Sequence, residues 1–532
     1  MKNEVQDIVR RFFEWDTKEI TAIFGELLRG MQAEDGLPPG SLMSRNYETA
    51  QANPEIHTLP GNLKDARDSI FPFFWGTDGW HSPLHLENVK GPANLASLVG
   101  ALACLLKNPN LCVDTYCLRS NELEVKSITA LANLVFYNTH SPWGVFTMGG
   151  TISNLYGGKL GVEKVAPGAM HTGLDGKRIT GIVSEAGHYS NATLAGWLGI
   201  GTDNLVPIPT DDRFAMRIDL LELELERLYQ QGALVAFVIG TFGTTDAYGI
   251  DDITAIRHTI TKVAAKYHAT EPHLHVDAAV GWISCFLTDY DTAANPLGFP
   301  ADLLPVVRQT QDLTVGFRAA DSVTIDFHKM GWGHYPSSAF IVNQRDQLTR
   351  LRREKSDVPY FSEADFRHDP ALFTLECSRP AIGPYTVMAS LNAIGLNGYR
   401  LLIADALEKA RDLKHRLAAL PYCKVLNPDT VGPAVLWWVL PKGRDAGAIH
   451  SALVDDRLPE ADIHRYFHEI EHLFHKRADT MDPSCDARLS YTTSIGHSPA
   501  GRRIPAWKAV FFNPKTDSAV IDRLIESLEE LA

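Results

Sequence analysis

A lysine amine carries charge at neutral pH and, once stripped of its proton, attacks carbonyl carbons. Lys329 sits where such chemistry is possible. It lies in Asp321-Ser-Val-Thr-Ile-Asp-Phe-His-Lys-Met-Gly-Trp-Gly-His-Tyr-Pro-Ser-Ser-Ala-Phe340, beside His328 and among apolar and aromatic neighbours. Partial burial there predicts a lowered pKa and a freer amine. Asp277 lies in His275-Val-Asp-Ala-Ala279, which ends a strand, and a buried carboxylate at that place demands a charged or donating partner. His188 stands in Glu185-Ala-Gly-His-Tyr-Ser-Asn191, where an imidazole offers a flat face and a movable proton. Thr147-Met-Gly-Gly-Thr-Ile-Ser-Asn154 puts Gly149, Gly150 and Thr151 at a helix start, whose free N–H groups favour an anion. Each has an ordinary reading alone: a turn lysine, a structural histidine, a Gly-rich turn. Together they supply an amine, a carboxylate, a ring and an anion cradle.

The elements that would position them read as alternating strands and helices. Ile179–Ser184, Ala233–Gly240, His273–Asp277 and Val323–Asp326 have strand character. Ala93–Leu106 and Glu122–Tyr137 have helical periods. Such alternation predicts a mostly parallel sheet with helices on both faces, and ligands bind beyond the carboxyl ends of its strands. Gly331, Gly333 and Pro336 stop any helix after Lys329. Pro384–Arg416 reads as a long helix leading to a smaller C-terminal part. There Ala434–Leu440 and Ala487–Thr493 are strand-like and Ala519–Leu531 is a closing helix.

Several of these segments carry a family resemblance. Ser322 to Lys329, with the Met-Gly that follows, resembles the lysine signature of the group II pyridoxal-phosphate decarboxylases, which include the glutamate, aromatic amino acid and tyrosine decarboxylases. Its wording is most similar to the bacterial and archaeal tyrosine/aspartate branch, although Ser337 stands where Cys or Ala is usual. Gly-Gly-Thr-Ile-Ser-Asn resembles the phosphate-binding segment of the glutamate-type enzymes. His188-Tyr-Ser ahead of Leu-Gly-Ile-Gly, Gly243-Thr-Thr with Asp251-Asp-Ile, and His275-Val-Asp-Ala-Ala279 also match.

The resemblance implies a cofactor, pyridoxal 5'-phosphate, and an α/β fold: the type I transferase fold, aspartate-aminotransferase-like. It implies that Lys329 bonds the cofactor and that His188 stacks on its ring. Asp277 would hold the pyridine nitrogen protonated, with Ala279 packed against the ring. Gly149, Gly150 and Thr151 would cradle the phosphate, with Thr244 (or its neighbour Thr245) and His328 nearby. Tyr360, in the polar stretch 350–370, would be the acid that protonates the carbon left after CO2 departs. Trp80 and His81, with His85, are substrate-side candidates in an aromatic-rich segment. Arg379, in Thr374-Leu-Glu-Cys-Ser-Arg379, would either pair a substrate carboxylate or brace the site wall. The implied reaction is decarboxylation of an L-amino acid to a primary amine. An aromatic side chain is expected. An acidic substrate, or another fold type I lyase or transaminase reaction, is the alternative.

Three domains are expected: an N-terminal helical segment over 1–90, clasping a partner in a homodimer, a cofactor domain over 91–384, and a small domain over 385–532. Within the first, Val5 to Met31 carries a helical period. Asp251 and Asp252 read as a helix N-cap and a first-turn acid. The net charge of −14 argues against nucleic acid or an anionic membrane as main partner. No apolar run reaches membrane length, the first residues are too polar for a signal peptide, and seven cysteines lack framework spacing. A cytoplasmic protein is therefore expected. His464, His468, His472 and His475 share a helix face. They could chelate a metal, but Ile463, Phe467, Ile470 and Phe474 beside them favour a partly exposed histidine face, and no metal is assigned.

Overall fold

The computed structural model describes residues 2–13, 17–34, 47–52, 58–74, 81–135, 142–354, 356, 369–498 and 501–532. Its strands fall into two sheets. The larger comprises β1 (Trp143–Thr147), β2 (Ile179–Ser184), β3 (Leu205–Ile208), β4 (Leu234–Thr241), β5 (His273–Asp277), β6 (Ser322–Asp326) and β7 (Ser338–Val342), in the order β1-β7-β6-β5-β4-β2-β3. The run from β3 to β6 is parallel, whereas β7 and β1 join antiparallel. Strands covered on both faces by crossover helices must be apolar throughout. Accordingly Val235, Ala236, Phe237, Val238 and Ile239 are all buried. Here the sheet is mostly parallel, as the alternating pattern predicts. Strands β1, β3 and β7 escaped the sequence reading, since such short runs carry little periodicity.

The connection β5 to β6 runs through residues 278–321, and the chain then turns sharply at Phe327–Gly331 into β7. The long helix Ile382–Ala418 bends at Gly395, whose φ of 69° is outside the helical range. It packs on the Leu95–Lys107 helix and leads to the second sheet. That sheet contains β8 (Cys423–Val425), β9 (Ala434–Val439), β10 (Ser490–Thr492) and β11 (Ala506–Val510), in the order β10-β11-β9-β8, antiparallel throughout. Trp437, Trp438 and Trp507 lie fully buried at its centre. Lys508 of β11 is buried and donates to Asp246 at 2.6 Å, which ties the small sheet to the loop after β4.

Before residue 91 lie the helices Lys2–Phe12, Thr17–Glu34, Tyr47–Ala52 and Leu63–Phe74; on them Val5, Val9, Leu28 and Ile70 are exposed, as is Phe13 just after the first. The period expected over Val5–Met31 is thus divided between two helices. On the helix Glu460–Thr480, Ile463, Tyr466, Ile470 and Leu473 face inward. The inward stripe is therefore Ile463, Tyr466, Ile470 and Leu473, with Phe467 and Phe474 only partly buried. Opposite them the His468 and His472 rings stack at 6.2 Å, and His464 and His475 are solvent-facing. Among the described residues no group of three or more His, Cys, Asp or Glu is placed to hold a metal.

Candidate active site

The ends of β1, β2, β4, β5 and β6 converge on a cavity of about 220 Å³. Its walls include Gly149, Gly150, Thr151, Asn154, His188, Asp277, Ala279, His328 and Lys329. Residues scattered over 180 positions of sequence meet there because parallel strands all present their carboxyl ends to one side.

Gly150 opens the helix Gly150–Val165. A β-carbon on Gly150 would lie 2.8 Å from an Asp326 carboxylate oxygen, so only glycine fits. Around Gly149 there is open space. The first turn of this helix thus presents unpaired N–H groups to the cavity, a place suited to a phosphate.

Asp277 ends β5 and is buried. Its Oδ2 accepts from Asn154 Nδ2 at 2.8 Å, and its Oδ1 from the Ala279 N–H at 3.1 Å. His188 follows β2. Its Nδ1 pairs with Ser190 Oγ at 2.7 Å and accepts from the Ser190 N–H at 3.2 Å. Burial lowers the His188 pKa, with Asp277 opposing and Lys329 adding to the fall, so a neutral ring is favoured. With Nδ1 accepting, its remaining proton sits on Nε2.

Lys329 follows β6 and its Nζ lies 3.0 Å from Asp326 Oδ2. Here the structure corrects the expectation of a lowered lysine pKa. Burial does push it down, but Asp326 and Asp277 outweigh burial, and the pKa rises above the ordinary value. Asp326 in turn is deeply buried, yet Lys329 and His328 hold its pKa below the usual carboxylate range, and Ser338 Oγ donates to it at 2.5 Å. Sequence reasoning passed over Asp326. The signal was present: it ends β6 as Asp277 ends β5, and the cost of burying an acid applies equally. His328 stacks against Tyr335, ring centres 3.7 Å apart, and burial lowers its pKa to about 4. Tyr335, Ser190, Thr241, Gly243, Thr245 and Val280 also line the cavity.

Three expected site residues, Thr244, His81 and Arg379, do not line the cavity. Thr244 does not line the cavity; its Oγ1 accepts from the Gly249 N–H at 2.8 Å and closes the loop after β4, leaving Thr245 to face inward. Exposed His81 is also not part of the wall, and its carbonyl accepts from Lys515. Trp80 and Tyr360 lie outside the described residues. Arg379 is buried and grips Glu124 at 2.7 and 2.9 Å while donating to the carbonyls of Leu111 and Phe146. Of its two expected roles, bracing the wall fits: both NH2 groups are taken, and the remaining Nε is buried and does not line the cavity. Removing one partner of a buried pair leaves an uncompensated charge. Arg379→Met should therefore lose about 3–5 kcal/mol of stability, read by urea unfolding, while adding Glu124→Leu should recover much of it. An unchanged unfolding midpoint in Arg379→Met would refute this role. The helix Ile253–Lys266 is capped by Asp252, one residue later than expected, and has no acid in its first turn; Asp251 lies ahead of the cap. It is buried and accepts from the N–H groups of Met216 and Thr241.

The residues present fit a pyridoxal phosphate. The cavity joins an anion cradle to a carboxylate 123 positions away in sequence, bridged by the Asn154–Asp277 contact. Thr241 Oγ1 and His328 Nδ1 are buried in its wall without a hydrogen-bond partner, which calls for a polar ligand.

A family model described as the pyridoxal-dependent decarboxylase conserved domain matches residues 39–293. The chain is 23% identical to the acidic amino acid decarboxylase of Xenopus tropicalis over 395 residues, 73% of this chain and 67% of that protein. To the L-tyrosine decarboxylase of Enterococcus faecalis it is 29% identical over 265 residues, 45% of this chain and 41% of that protein. The fold is similar to that of mouse CSAD, with a TM-score of 0.77 and 21% identity, over 96% of this chain and 99% of that one.

Proposed function

This chain belongs to the pyridoxal-dependent decarboxylase family, and from that premise we propose that it removes the α-carboxylate of an aromatic L-amino acid. It is a carboxy-lyase that uses pyridoxal phosphate; the substrate is the part inferred here. The observation that carries the inference is the charge of the cavity. Asp277 and Asp326 line it, and Lys329 is the one lysine or arginine among its described walls. The cofactor phosphate adds further negative charge. A substrate with an anionic side chain would enter this field with no cation in the wall to receive it. An aromatic ring needs no such cation, and Tyr335, packed on His328, supplies an aromatic part of the wall.

Bound pyridoxal phosphate supplies an electron sink conjugated to the substrate's α-carbon. The chain's own groups do the rest. Gly149, Gly150 and Thr151 hold the phosphate. Asp277 keeps a proton at the pyridine nitrogen. His188, neutral and pinned through Nδ1, orients the ring. Lys329 would hold the cofactor through its amine. Tyr360 delivers a proton to the α-carbon.

A specific observation keeps an acidic substrate as the second reading. Lys90 Nζ lies 5.5 Å from the Tyr335 ring centre and acts on His328. A carboxylate reaching past Tyr335 would meet it. Mass spectrometry of products from the loaded enzyme, offered tyrosine, tryptophan, glutamate, aspartate and cysteine sulfinate separately, distinguishes the two. The expected product is an aromatic amine, with Tyr360→Phe diverting part of it to a carbonyl compound. Amine from an acidic substrate alone would overturn the aromatic reading, and carbonyl products alone would point to a different lyase or a transaminase.

We further infer a homodimer with shared active sites, the helices of 1–90 clasping the partner. The exposed Val5, Val9, Phe13, Leu28 and Ile70 support this, because such apolar side chains favour cover. A cytoplasmic location suits seven unpaired thiols. Among the described residues no helix is long and apolar enough to cross a membrane.

A further inference from the structure

Behind Asp277 the sheet contains polar residues where apolar ones would be expected. His273, His275 and Asp277 alternate along β5 and so share a face. In the register of β5 and β6, His275 lies opposite Ser322 and Asp277 opposite Thr324. The helix Gly150–Val165 covers this face with Asn154 and Gly157. All of His273, His275, Ser322, Thr324 and Asn154 are buried.

They form one continuous chain of hydrogen bonds. His273 Nε2 is 2.7 Å from Ser322 Oγ, and Ser322 Oγ is 2.7 Å from His275 Nδ1. His275 Nε2 is 3.0 Å from both Asn154 Oδ1 and Thr324 Oγ1. Thr324 Oγ1 donates to Asn154 Oδ1 at 2.7 Å, and Asn154 Nδ2 donates to Asp277. Only one assignment of protons satisfies every contact. Asn154 must turn its NH2 to the carboxylate, so its Oδ1 needs donors from behind. His275 therefore carries its proton on Nε2, and its bare Nδ1 takes the Ser322 proton. Ser322 Oγ then accepts from His273 Nε2–H. Burial keeps both rings neutral, with His275 pushed down to about 3 and His273 to about 4. Every donor along the chain thus points toward Asp277.

The helix is shaped to this chain. A β-carbon on Gly157 would lie 2.5 Å from His275 Cγ. Glycine is required there for the helix to lie against the imidazole and bring Asn154 into reach. At the far end His273 Nδ1 lies 3.8 Å from Asp321, which is paired with Arg257 at 2.8 Å.

We propose that His275, Ser322 and His273 are positioning residues, which fix the orientation of Asn154 so that the Asp277 carboxylate stays aimed at the pyridine nitrogen. Without His275 the amide of Asn154 loses its donors and is free to turn its oxygen toward the carboxylate. The proposal rests on the pyridoxal-phosphate reading above.

The test uses holoenzyme reconstituted with pyridoxal phosphate labelled with ¹⁵N in the ring. Its readouts are the pyridine ¹⁵N shift and the steady-state constants of wild type, His275→Leu, His275→Gln and Ser322→Ala. In His275→Leu the ¹⁵N signal should move toward unprotonated pyridine and kcat should fall by about tenfold, with KM within about twofold, because one oriented hydrogen bond is lost. Ser322→Ala should move both in the same direction by less. His275→Gln, whose amide can donate to Asn154, should recover most of the signal. A wild-type ¹⁵N signal in both His275→Leu and Ser322→Ala would overturn the proposal. If His275→Leu fails to fold, Ser322→Ala alone decides. If the wild type does not bind pyridoxal phosphate through Lys329, judged by borohydride fixation and peptide mapping, the cofactor reading itself fails and the proposal with it.

Discussion

Lys329→Ala is expected to abolish amine production, by at least about 10⁴-fold, and to weaken the fold as well. The first effect follows from position. Lys329 is the sole lysine in the described walls of the cavity, so no neighbouring amine can take over covalent attachment of the cofactor. The second follows from Asp326. In the wild type its buried carboxylate is held by the Lys329 ammonium at 3.0 Å and by Ser338. Truncating the lysine leaves that charge without its main partner. A loss of about 3 kcal/mol in urea unfolding of the cofactor-free protein is expected. Asp326→Asn in the same chain should restore stability but not activity. Measuring unfolding and turnover on wild type, Lys329→Ala and the double variant separates the two roles. If Lys329→Ala unfolds like wild type, the Asp326 contact is not an ion pair of consequence; if it turns over, Lys329 is not the attachment point.

The Lys329–Asp326 pair also carries a sign. The raised lysine pKa means that folding stabilises the ammonium. That contribution is complete below the ordinary lysine pKa and fades only as pH rises through the folded value. Capture of the cofactor aldehyde needs the unprotonated amine. Attachment should therefore speed up with rising pH, and Asp326→Asn should be faster than wild type near neutrality. Stopped-flow absorbance after mixing with pyridoxal phosphate reads this directly; a pH-independent rate would contradict it.

How far the site could be read from sequence depended on what each residue contacts. Gly149, Gly150, Thr151, His188, Asp277 and Lys329 lie at strand ends or helix starts, where residue type and local pattern carry the message, and they meet in one cavity. Thr244 against Thr245 could not be separated that way. A one-residue step in an irregular loop reverses which side chain faces inward, and the Gly249 contact that decides it is tertiary. Arg379 has the right chemistry for a substrate carboxylate, but Glu124, 255 positions earlier, already occupies it. The Lys329 pKa was misjudged for a related reason. Apolar neighbours are visible in sequence, whereas the second carboxylate, Asp326, acts through a turn that brings it back to 3.0 Å. The mostly parallel run of the larger sheet followed from alternation of elements. The antiparallel β1 and β7 did not, because register between strands nearly 200 residues apart leaves no local trace.

Asp277→Asn should retain the fold and still bind cofactor, yet lose roughly a thousandfold in kcat, about 4 kcal/mol of barrier. An asparagine preserves shape and can still accept from Asn154 or from the Ala279 N–H. What it cannot do is hold a positive charge at the pyridine nitrogen. Without that proton the ring draws electrons poorly from the breaking bond, so the loss falls on the chemical step and KM changes little. There is also a local conflict. Asp277 accepts from two donors, at Oδ2 and Oδ1, and an asparagine NH2 must face one of them. The hydrogen-bond chain behind Asn154 resists accommodating this by rotation, since Thr324 and His275 both hold its oxygen. Asn154→Asp combined with Asp277→Asn therefore should not rescue activity, because the charge would sit one residue away from the nitrogen. Steady-state kinetics with the ring-labelled cofactor decides the matter. A large fall in kcat with an unprotonated ¹⁵N signal fits the assignment, and near-normal kcat in Asp277→Asn would remove Asp277 from the role of pyridinium partner.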